Sequence, residues 1–204
     1  AIPGAPANDA PVLGDAALSL PPVGQDTAAP SGAVGVLVSD LVVAQSDIDT
    51  GDASGVAITA VDTTHGSLFY STDGGTSWTA VADTLSDSNA LLLAADAQTR
   101  VYVQPAAGFY GDANGVLTLR AWDQTSGAAG DLVDVSGYGG TSAFSESTDG
   151  VDVHVVRAVT IDTVSDDDAI LMNEAMPLTG SAELGATVSL DINGTVRTVT
   201  ADAT

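Results

Sequence analysis

Val151-Asp152-Val153-His154-Val155 alternates apolar and polar residues without an exception. Successive side chains of a β-strand point to opposite faces, so the three valines would line one face and Asp152 and His154 the other. One face in a core and one face in water is typical of strands in antiparallel sheets. The segment therefore predicts an all-β fold built from half-buried antiparallel strands.

Similar short runs of β-type residues occupy most of the chain before this segment, and turn residues separate nearly all of them. The runs are Val34 to Val38, Val56 to Val61, Ser67 to Ser71, Ser77 to Val81, Arg100 to Gln104 and Val116 to Trp122. This spacing predicts an antiparallel β-sandwich, in which two sheets bury alternating residues between them. The apolar run from Ser88 to Gln98 differs, because it could form a helical turn.

Changes of pattern divide the chain into a linker and two domains. Residues 1–33 are rich in Pro, Ala and Gly, and we expect 1–13 to be a linker and 14–158 to be the sandwich domain. The pattern begins and ends partway through a module, so we expect the chain to be an excerpt of a longer protein.

A second strand pattern covers 159–204. Its strand runs are Met176 to Gly180, Thr187 to Ile192 and Val196 to Ala201, and Asn193-Gly194 is a two-residue hairpin signal. This is roughly half of an immunoglobulin-like sandwich, which cannot bury a core alone. Either the remaining strands are disordered or cut away, or another chain supplies them by strand addition.

The composition is strongly acidic. The chain has 204 residues and a formal net charge of −23, its 27 acidic residues include only three Glu, and its only basic residues besides two His are four Arg. This charge argues against nucleic acid or an anionic membrane as a partner. The sequence contains no run of 18 apolar residues, which a membrane-spanning helix would require. The absence of Cys excludes disulfides, so rigidity would have to come from metal or from core size.

Two explanations of the acidity stay open. Asp-rich turns chelate Ca²⁺, which takes six to eight oxygen ligands, whereas a solvated acidic coat suits saline surroundings. Asp47-Ile48-Asp49-Thr50-Gly51-Asp52 places three carboxylates around a glycine, although it is not an EF-hand loop. We predict that this turn binds Ca²⁺ together with Asn8 and Asp9 in the linker and Asp123 at the end of a strand. Its alternative is a solvated Asp-rich turn.

Three motifs resemble the calcium-binding signature of cadherin repeats. They are Asn-Asp-x-Pro in the linker, Asp-x-Asp within the domain and Ala-x-Asp near the end of the domain. Within residues 8–158, "YSTDGGTSWTAV", "LLLAADAQTRVYVQPAAGFYG" and "VLTLRAWDQTSG" are similar to the cadherin-like repeats of giant type I secreted bacterial adhesins. The resemblance implies a β-sandwich whose inter-domain junctions bind Ca²⁺ and stiffen a rod of modules. Asn8 and Asp9 would serve the junction with a preceding module, and Asp47, Asp49 and Asp123 would fill the other signature positions.

From Val159 onward, "TIDTVSDDDAILMNEAMPLTGSAELGATVSLDINGTVRTVT" is similar to the bacterial immunoglobulin-like repeats of the same adhesins. The resemblance implies that Asp162, Asp166 and Asp168 lie at the junction of the two modules. Adjacent carboxylates repel each other, and a bound Ca²⁺ would relieve that repulsion.

Catalytic motifs are missing from the sequence. There is no His-Glu-x-x-His, Gly-x-Ser-x-Gly, phosphate loop or Cys nucleophile, and neither His65 nor His154 has an obvious partner. The stretch from Ser71 to Trp78 resembles the Asp-box of sialidases, but propellers repeat this hairpin-turn device and it occurs once here. We therefore expect a turn in which Asp73 holds the backbone, and no enzyme.

The function predicted from sequence is that of an extender or assembly module of a bacterial cell-surface or secreted adhesin, rigidified by Ca²⁺. Its partners would be neighbouring modules of the same or identical chains. The alternatives are a module that binds a surface glycan or protein, and an accessory domain of a secreted hydrolase. A glycan would stack on aromatic residues: Trp78, Trp122, Tyr102, Phe109, Tyr110 and Tyr138. Residues 124–150 form the longest irregular stretch and are predicted to contact a partner.

Overall fold

The computed structural model describes residues 7–49, 51, 53–161, 180–192 and 195–202. Within these ranges the chain forms strands and loops, with a single 3₁₀ turn at Val38–Asp40 and no helix long and apolar enough to cross a membrane. The predicted all-β fold class is confirmed. The chain divides into two compact units, Ala1–Val155 and Val156–Thr204.

The strands of the first unit are short at its N-terminal end and longer from Gly55 onward. They are β1 (Val12–Leu13), β2 (Leu18–Ser19), β3 (Val23–Gly24), β4 (Val36–Leu37), β5 (Gln45–Ser46), β6 (Gly55–Val61), β7 (Gly66–Ser71), β8 (Thr79–Ala80), β9 (Ala90–Ala94), β10 (Arg100–Pro105), β11 (Gly111–Trp122), β12 (Leu132–Val133) and β13 (Asp149–Val156).

Most of these strands belong to two sheets. The larger has the order β12-β9-β6-β11-β13-β2, with β3 also paired to β13, and the smaller has the order β4-β10-β7-β8. Neighbours along these two paths run antiparallel, apart from β2, which pairs in parallel with β13 through Leu18 and Val151. A separate ladder joins β1 to β5.

The main core lies between the two sheets. It takes Val56, Ile58 and Leu119 from the larger sheet, and Leu68 and Val101 from the smaller. The alternation in β13 is confirmed, because its three valines at 151, 153 and 155 are buried while Asp152 is exposed. The first unit is therefore a β-sandwich.

The helical turn considered for Ser88 to Gln98 does not form, because Ala90–Ala94 is strand β9 and all five of its residues are buried. Leu91 and Leu93 face the main core, whereas Leu92 joins a second core on the other face of the sheet. A strand buried on both faces reads as a continuous apolar run and loses the alternation that identifies strands.

The second core is covered by the stretch that the sequence analysis described as irregular. Val135 and Phe144 from this stretch pack against Leu92 and Trp122 of the larger sheet. Residues 134–147, which follow β12, thus form a third layer over one part of the sandwich. This layer brings the 138–146 loop close to the N-terminal linker.

The outermost strands of both sheets are very short. β4 and β8 border the smaller sheet and β2 and β12 border the larger one, each with two residues. Short edge strands leave few unpaired backbone groups for another chain to pair with.

The second unit contains two antiparallel ladders within its described residues. β14 (Thr160–Ile161) pairs with β15 (Gly180–Ser181), and β16 (Thr187–Ile192) pairs with β17 (Thr195–Thr200). Ile192 lies opposite Thr195, which leaves two residues for the connection. Asn193 and Gly194, where the hairpin turn was predicted, and most of the predicted strand from Met176 lie outside the described residues. The partial immunoglobulin-like sandwich stays a prediction.

Candidate metal site

The linker residues Asn8 and Asp9 lie against two distant segments of the first unit. The Asn8 side-chain amide donates to Asp123 Oδ2 at 2.9 Å, and the Asp9 backbone N–H donates to Asp49 Oδ2 at 2.7 Å. The β1–β5 ladder brings the linker beside the Asp-rich turn, and Asp123 follows directly after the last residue of β11. Four of the predicted ligand residues therefore form one hydrogen-bonded group.

Asp47 belongs to the same group and has an oxygen atom without a partner. Its Oδ1 accepts a hydrogen bond from the Asp49 backbone N–H at 3.0 Å. Its Oδ2 is buried and accepts no hydrogen bond from the residues that the structure describes. A buried carboxylate oxygen without a donor is costly, unless a cation or water occupies the space beside it.

A second unpartnered oxygen comes from Gln45, which the sequence analysis missed. The Gln45 side-chain N–H₂ donates to the Trp122 carbonyl at 3.3 Å, while its Oε1 is buried without a partner in the described part of the chain. Gln45 lies on β5, just before the Asp-rich turn, and its neutral side chain gives no sign in the sequence that it belongs to the site.

Asp123 is already satisfied by hydrogen bonds. Only 1% of its surface is exposed, and its Oδ1 accepts from the Thr125 backbone N–H at 2.8 Å and from the Thr125 hydroxyl at 2.6 Å. Among residues 7–49, 51, 53–161, 180–192 and 195–202, no three Asp, Glu or His side chains are arranged to hold a metal. Any cation here would need neutral oxygens such as Gln45 Oε1, which Ca²⁺ accepts.

Four predicted ligands lie outside the described residues: Asp52, Asp162, Asp166 and Asp168. Asp52 belongs to the Asp-rich turn predicted from the sequence. The other three belong to the predicted junction cluster. Their role as metal ligands stays a prediction.

The Asp-box-like turn is held by Asp73. The Asp73 carboxylate accepts from the Ser77 hydroxyl at 2.6 Å, the Ser77 backbone N–H at 2.9 Å and the Ser71 hydroxyl at 2.8 Å. These bonds, the one from the Ser77 hydroxyl first, lower the pKa of Asp73 from 3.8 to about 2. Trp78 extends the turn by donating its indole N–H to the Gly32 carbonyl at 3.2 Å.

Removing the Ser77 hydroxyl should raise the pKa of Asp73. Because the folded-state pKa is depressed, the stabilisation from this carboxylate is complete above pH 3.8 and is lost as the pH falls through about 2. In Ser77→Ala the folded-state pKa lies closer to 3.8, so the stabilisation should be smaller and its loss should be complete at a higher pH. Carboxyl-carbon NMR titration of both proteins measures the two midpoints, and equal midpoints would contradict this account of the turn.

The two histidines have partners that the sequence does not reveal. His154 Nδ1 lies 2.6 Å from Asp112 Oδ1, directly across the β11–β13 pair. His65 stacks on Phe109, with ring centroids 4.3 Å apart. Each histidine is thus held in a pairwise contact in a different part of the first unit.

The six aromatic residues considered as a sugar-stacking face do not form one surface. Trp122 is 1% exposed in the second core, and Phe109 is stacked on His65. Trp78 and Tyr102 remain together, in an edge contact with centroids 6.2 Å apart. Burial thus removes Trp122 from the sugar-stacking face that was considered as an alternative, whereas Tyr110 and Tyr138 are 49% and 42% exposed.

Within the described residues, Gln45 Oε1 and Asp47 Oδ2 are buried without a partner at the candidate metal site, and Thr99 Oγ1 and Arg100 Nε are buried without a partner elsewhere in the first unit. No protein-family model, no curated protein and no solved structure matches this chain.

Proposed function

We propose that the chain is a structural module of a large bacterial cell-surface or secreted adhesin, and that Ca²⁺ bound beside Asp47 fastens its linker to the first unit. The buried, unpartnered Asp47 Oδ2 carries this proposal. Gln45 Oε1 offers a second buried acceptor, and the Asp9–Asp49 and Asn8–Asp123 bonds bring the linker to the same place.

The chemistry of the donor set fits Ca²⁺ better than a transition metal. The available atoms are carboxylate and amide oxygens, which are the hard ligands that Ca²⁺ takes in flexible geometry. Neither histidine belongs to the group, and the chain has no Cys. The residues that would hold the ion are Gln45, Asp47 and Asp49, with Asp52 from the same turn.

A bound cation would also act on the linker. Like charges on Asp9, Asp47 and Asp49 repel one another when the linker lies against the turn, and this repulsion weakens the contact. A divalent cation would cancel much of that charge and leave the linker held in one orientation. A module that is stiff at its junction is what an extended surface protein requires.

The test is thermal unfolding in CaCl₂, compared with EDTA plus NaCl at matched ionic strength. Ca²⁺ at a hundredfold excess over its Kd should stabilise the fold by about 2.7 kcal/mol and raise the Tm by about 5–10 °C. Matched ionic strength is essential, because a net charge of −23 makes any salt stabilising. Equal Tm values in the two solutions would leave the acidic coat as the explanation of the charge.

Two variants locate the effect. Asp47→Asn keeps the shape of the side chain and removes its charge, so the Ca²⁺-dependent rise in Tm should fall by more than half. Asp83→Asn changes the net charge equally at an exposed position after β8, and its response should equal that of the unmodified chain. An equal response of all three proteins would place any bound Ca²⁺ elsewhere.

A further inference from the structure

The 138–146 loop stands between a buried arginine and the N-terminal linker. Arg120 lies on β11, beneath the third layer, and its side chain is 6% exposed. The linker residues Asn8 and Ala10 contact the outer side of the same loop. The loop therefore connects the interior of the first unit to the candidate metal site.

Arg120 holds the inner side of the loop. Its Nη1 donates to the Ser145 carbonyl at 3.2 Å and to the Glu146 carbonyl at 2.6 Å. Its guanidinium carbon lies 3.8 Å from the ring centroid of Tyr138, so the ring covers the cation from the opposite end of the loop. One side chain thus fixes both ends of the loop.

The guanidinium group of Arg120 is oriented by the Asp87 carboxylate. Nε and Nη2 donate to Asp87 Oδ1 and Oδ2 at 3.2 and 3.0 Å. A bidentate pair of this kind fixes the plane of the guanidinium. With that plane fixed, the direction of the Nη1 bond to the Ser145 carbonyl and the face that Tyr138 covers are set relative to β11.

The outer side of the loop receives the linker. The Ala10 backbone N–H donates to the Gly140 carbonyl at 2.8 Å, and the Asn8 amide donates to the Ser142 carbonyl at 3.1 Å. The same Asn8 amide nitrogen donates to Asp123. A shift of the loop would therefore remove two of the contacts that place Asn8 and Asp9 beside Asp123 and Asp49.

The loop is stiff enough to transmit such a shift. Gly139 and Gly140 have φ values of 74° and 60°, which favour glycine, and the Gly139 N–H bonds to the Phe144 carbonyl at 2.8 Å. Phe144 is buried and bridges to the backbone of Trp122. The segment that carries the Gly140 and Ser142 carbonyls, which the linker contacts, is thus closed by a backbone hydrogen bond and anchored in the second core by Phe144.

We infer that Arg120 and Tyr138 are positioning residues for the linker, and that through the 138–146 loop they set the Ca²⁺ affinity of the candidate metal site. The affinity part rests on the proposed function, whereas the positioning part does not. The linker is also held by the β1–β5 ladder and the Asp9–Asp49 bond, so the effect is graded.

Tyr138 is the residue to vary, because 42% of its surface is exposed and its replacement leaves the core intact. Tyr138→Leu removes the ring over Arg120, and Tyr138→Phe keeps it. Tyr110→Leu is the matched control, an exposed tyrosine outside the loop. Two quantities are measured for each protein: hydrogen exchange of the Ala10 amide in EDTA, and the Kd for Ca²⁺ by calorimetry.

Exchange of the Ala10 amide should be about two- to fivefold faster in Tyr138→Leu, and the Kd for Ca²⁺ should rise by a similar factor. Tyr138→Phe and the Tyr110→Leu control should match the unmodified chain in both measurements. Unchanged exchange at Ala10 would overturn the positioning role, and faster exchange with an unchanged Kd would overturn the link to affinity. If the unmodified chain binds no Ca²⁺, the affinity link fails with the proposed function, and exchange at Ala10 still decides the positioning role.

Discussion

Replacing Arg120 with alanine is expected to lower the free energy of unfolding of the first unit by about 2–4 kcal/mol. The change leaves the carbonyls of Ser145 and Glu146 without their donor and Asp87 without its cation. Breaking a buried ion pair costs about 3–5 kcal/mol, but the Asp87 side chain is 40% exposed and water can solvate part of its charge. The expected loss is therefore about 1 kcal/mol smaller than that range.

Urea unfolding followed by far-UV circular dichroism measures this loss. Arg120→Lys keeps the positive charge but not the planar guanidinium group, so its loss in free energy of unfolding should be intermediate. Arg100→Ala is the control, because the hydrogen bonds of Arg100 to Val34 and Gly35 are long, at 3.5 and 3.3 Å. That control should cost less than about 1 kcal/mol. An Arg120→Ala variant as stable as the control would refute the conclusion that Arg120 holds the 138–146 loop.

The second large effect is expected at Trp122, whose replacement by alanine should cost about 3–5 kcal/mol. The indole is 1% exposed and donates its N–H to the Ser126 carbonyl at 2.8 Å. It also fills the space beside Gly55, where an added Cβ would lie 2.6 Å from the ring. Its loss would open a cavity between the larger sheet and the third layer.

Denaturant unfolding of Trp122→Ala, with Trp122→Phe beside it, separates volume from hydrogen bonding. The phenylalanine variant keeps most of the ring volume and should lose less than half as much stability. Trp78→Ala serves as the comparison, since Trp78 is only half-buried and belongs to an exposed turn. A Trp122→Ala variant within about 1 kcal/mol of the unmodified chain would mean that the second core contributes little.

The longer strands of the sandwich were predictable where one face is buried and the other exposed, whereas the two-residue strand Leu18–Ser19 is too short to show a pattern. Val151 to Val155 is the clearest case, because the physical alternation appears directly in the sequence. Ala90–Ala94 was not predictable in this way, since the third layer buries its outer face as well. The third layer itself lacks periodicity, and only the burial of Val135 and Phe144 in the structure reveals it.

The candidate site was predictable in its carboxylates and in Asn8, but not in its other neutral groups. Asp47 and Asp49 stand out in the sequence because clustered charge needs an explanation, and Asp123 stands out through the resemblance to the cadherin signature. Gln45 and the carbonyl of Ser142 carry no such signal, and they take part only because the fold brings them there. The Arg120–Asp87–Tyr138 contacts have no sequence signal either, since they join three elements that are far apart along the chain.

The parallel pairing of β2 with β13 determines how the first unit responds to mechanical load. β2 is near the start of this unit and β13 ends it, and Leu18 and Ser19 lie beside Val151 and Asp152 in the same direction. Tension applied before β2 and after β13 pulls the two strands past each other along their length. The bonds between them, including that from the Leu20 N–H to the Asp152 carbonyl at 2.8 Å, then stretch together in shear rather than opening one after another.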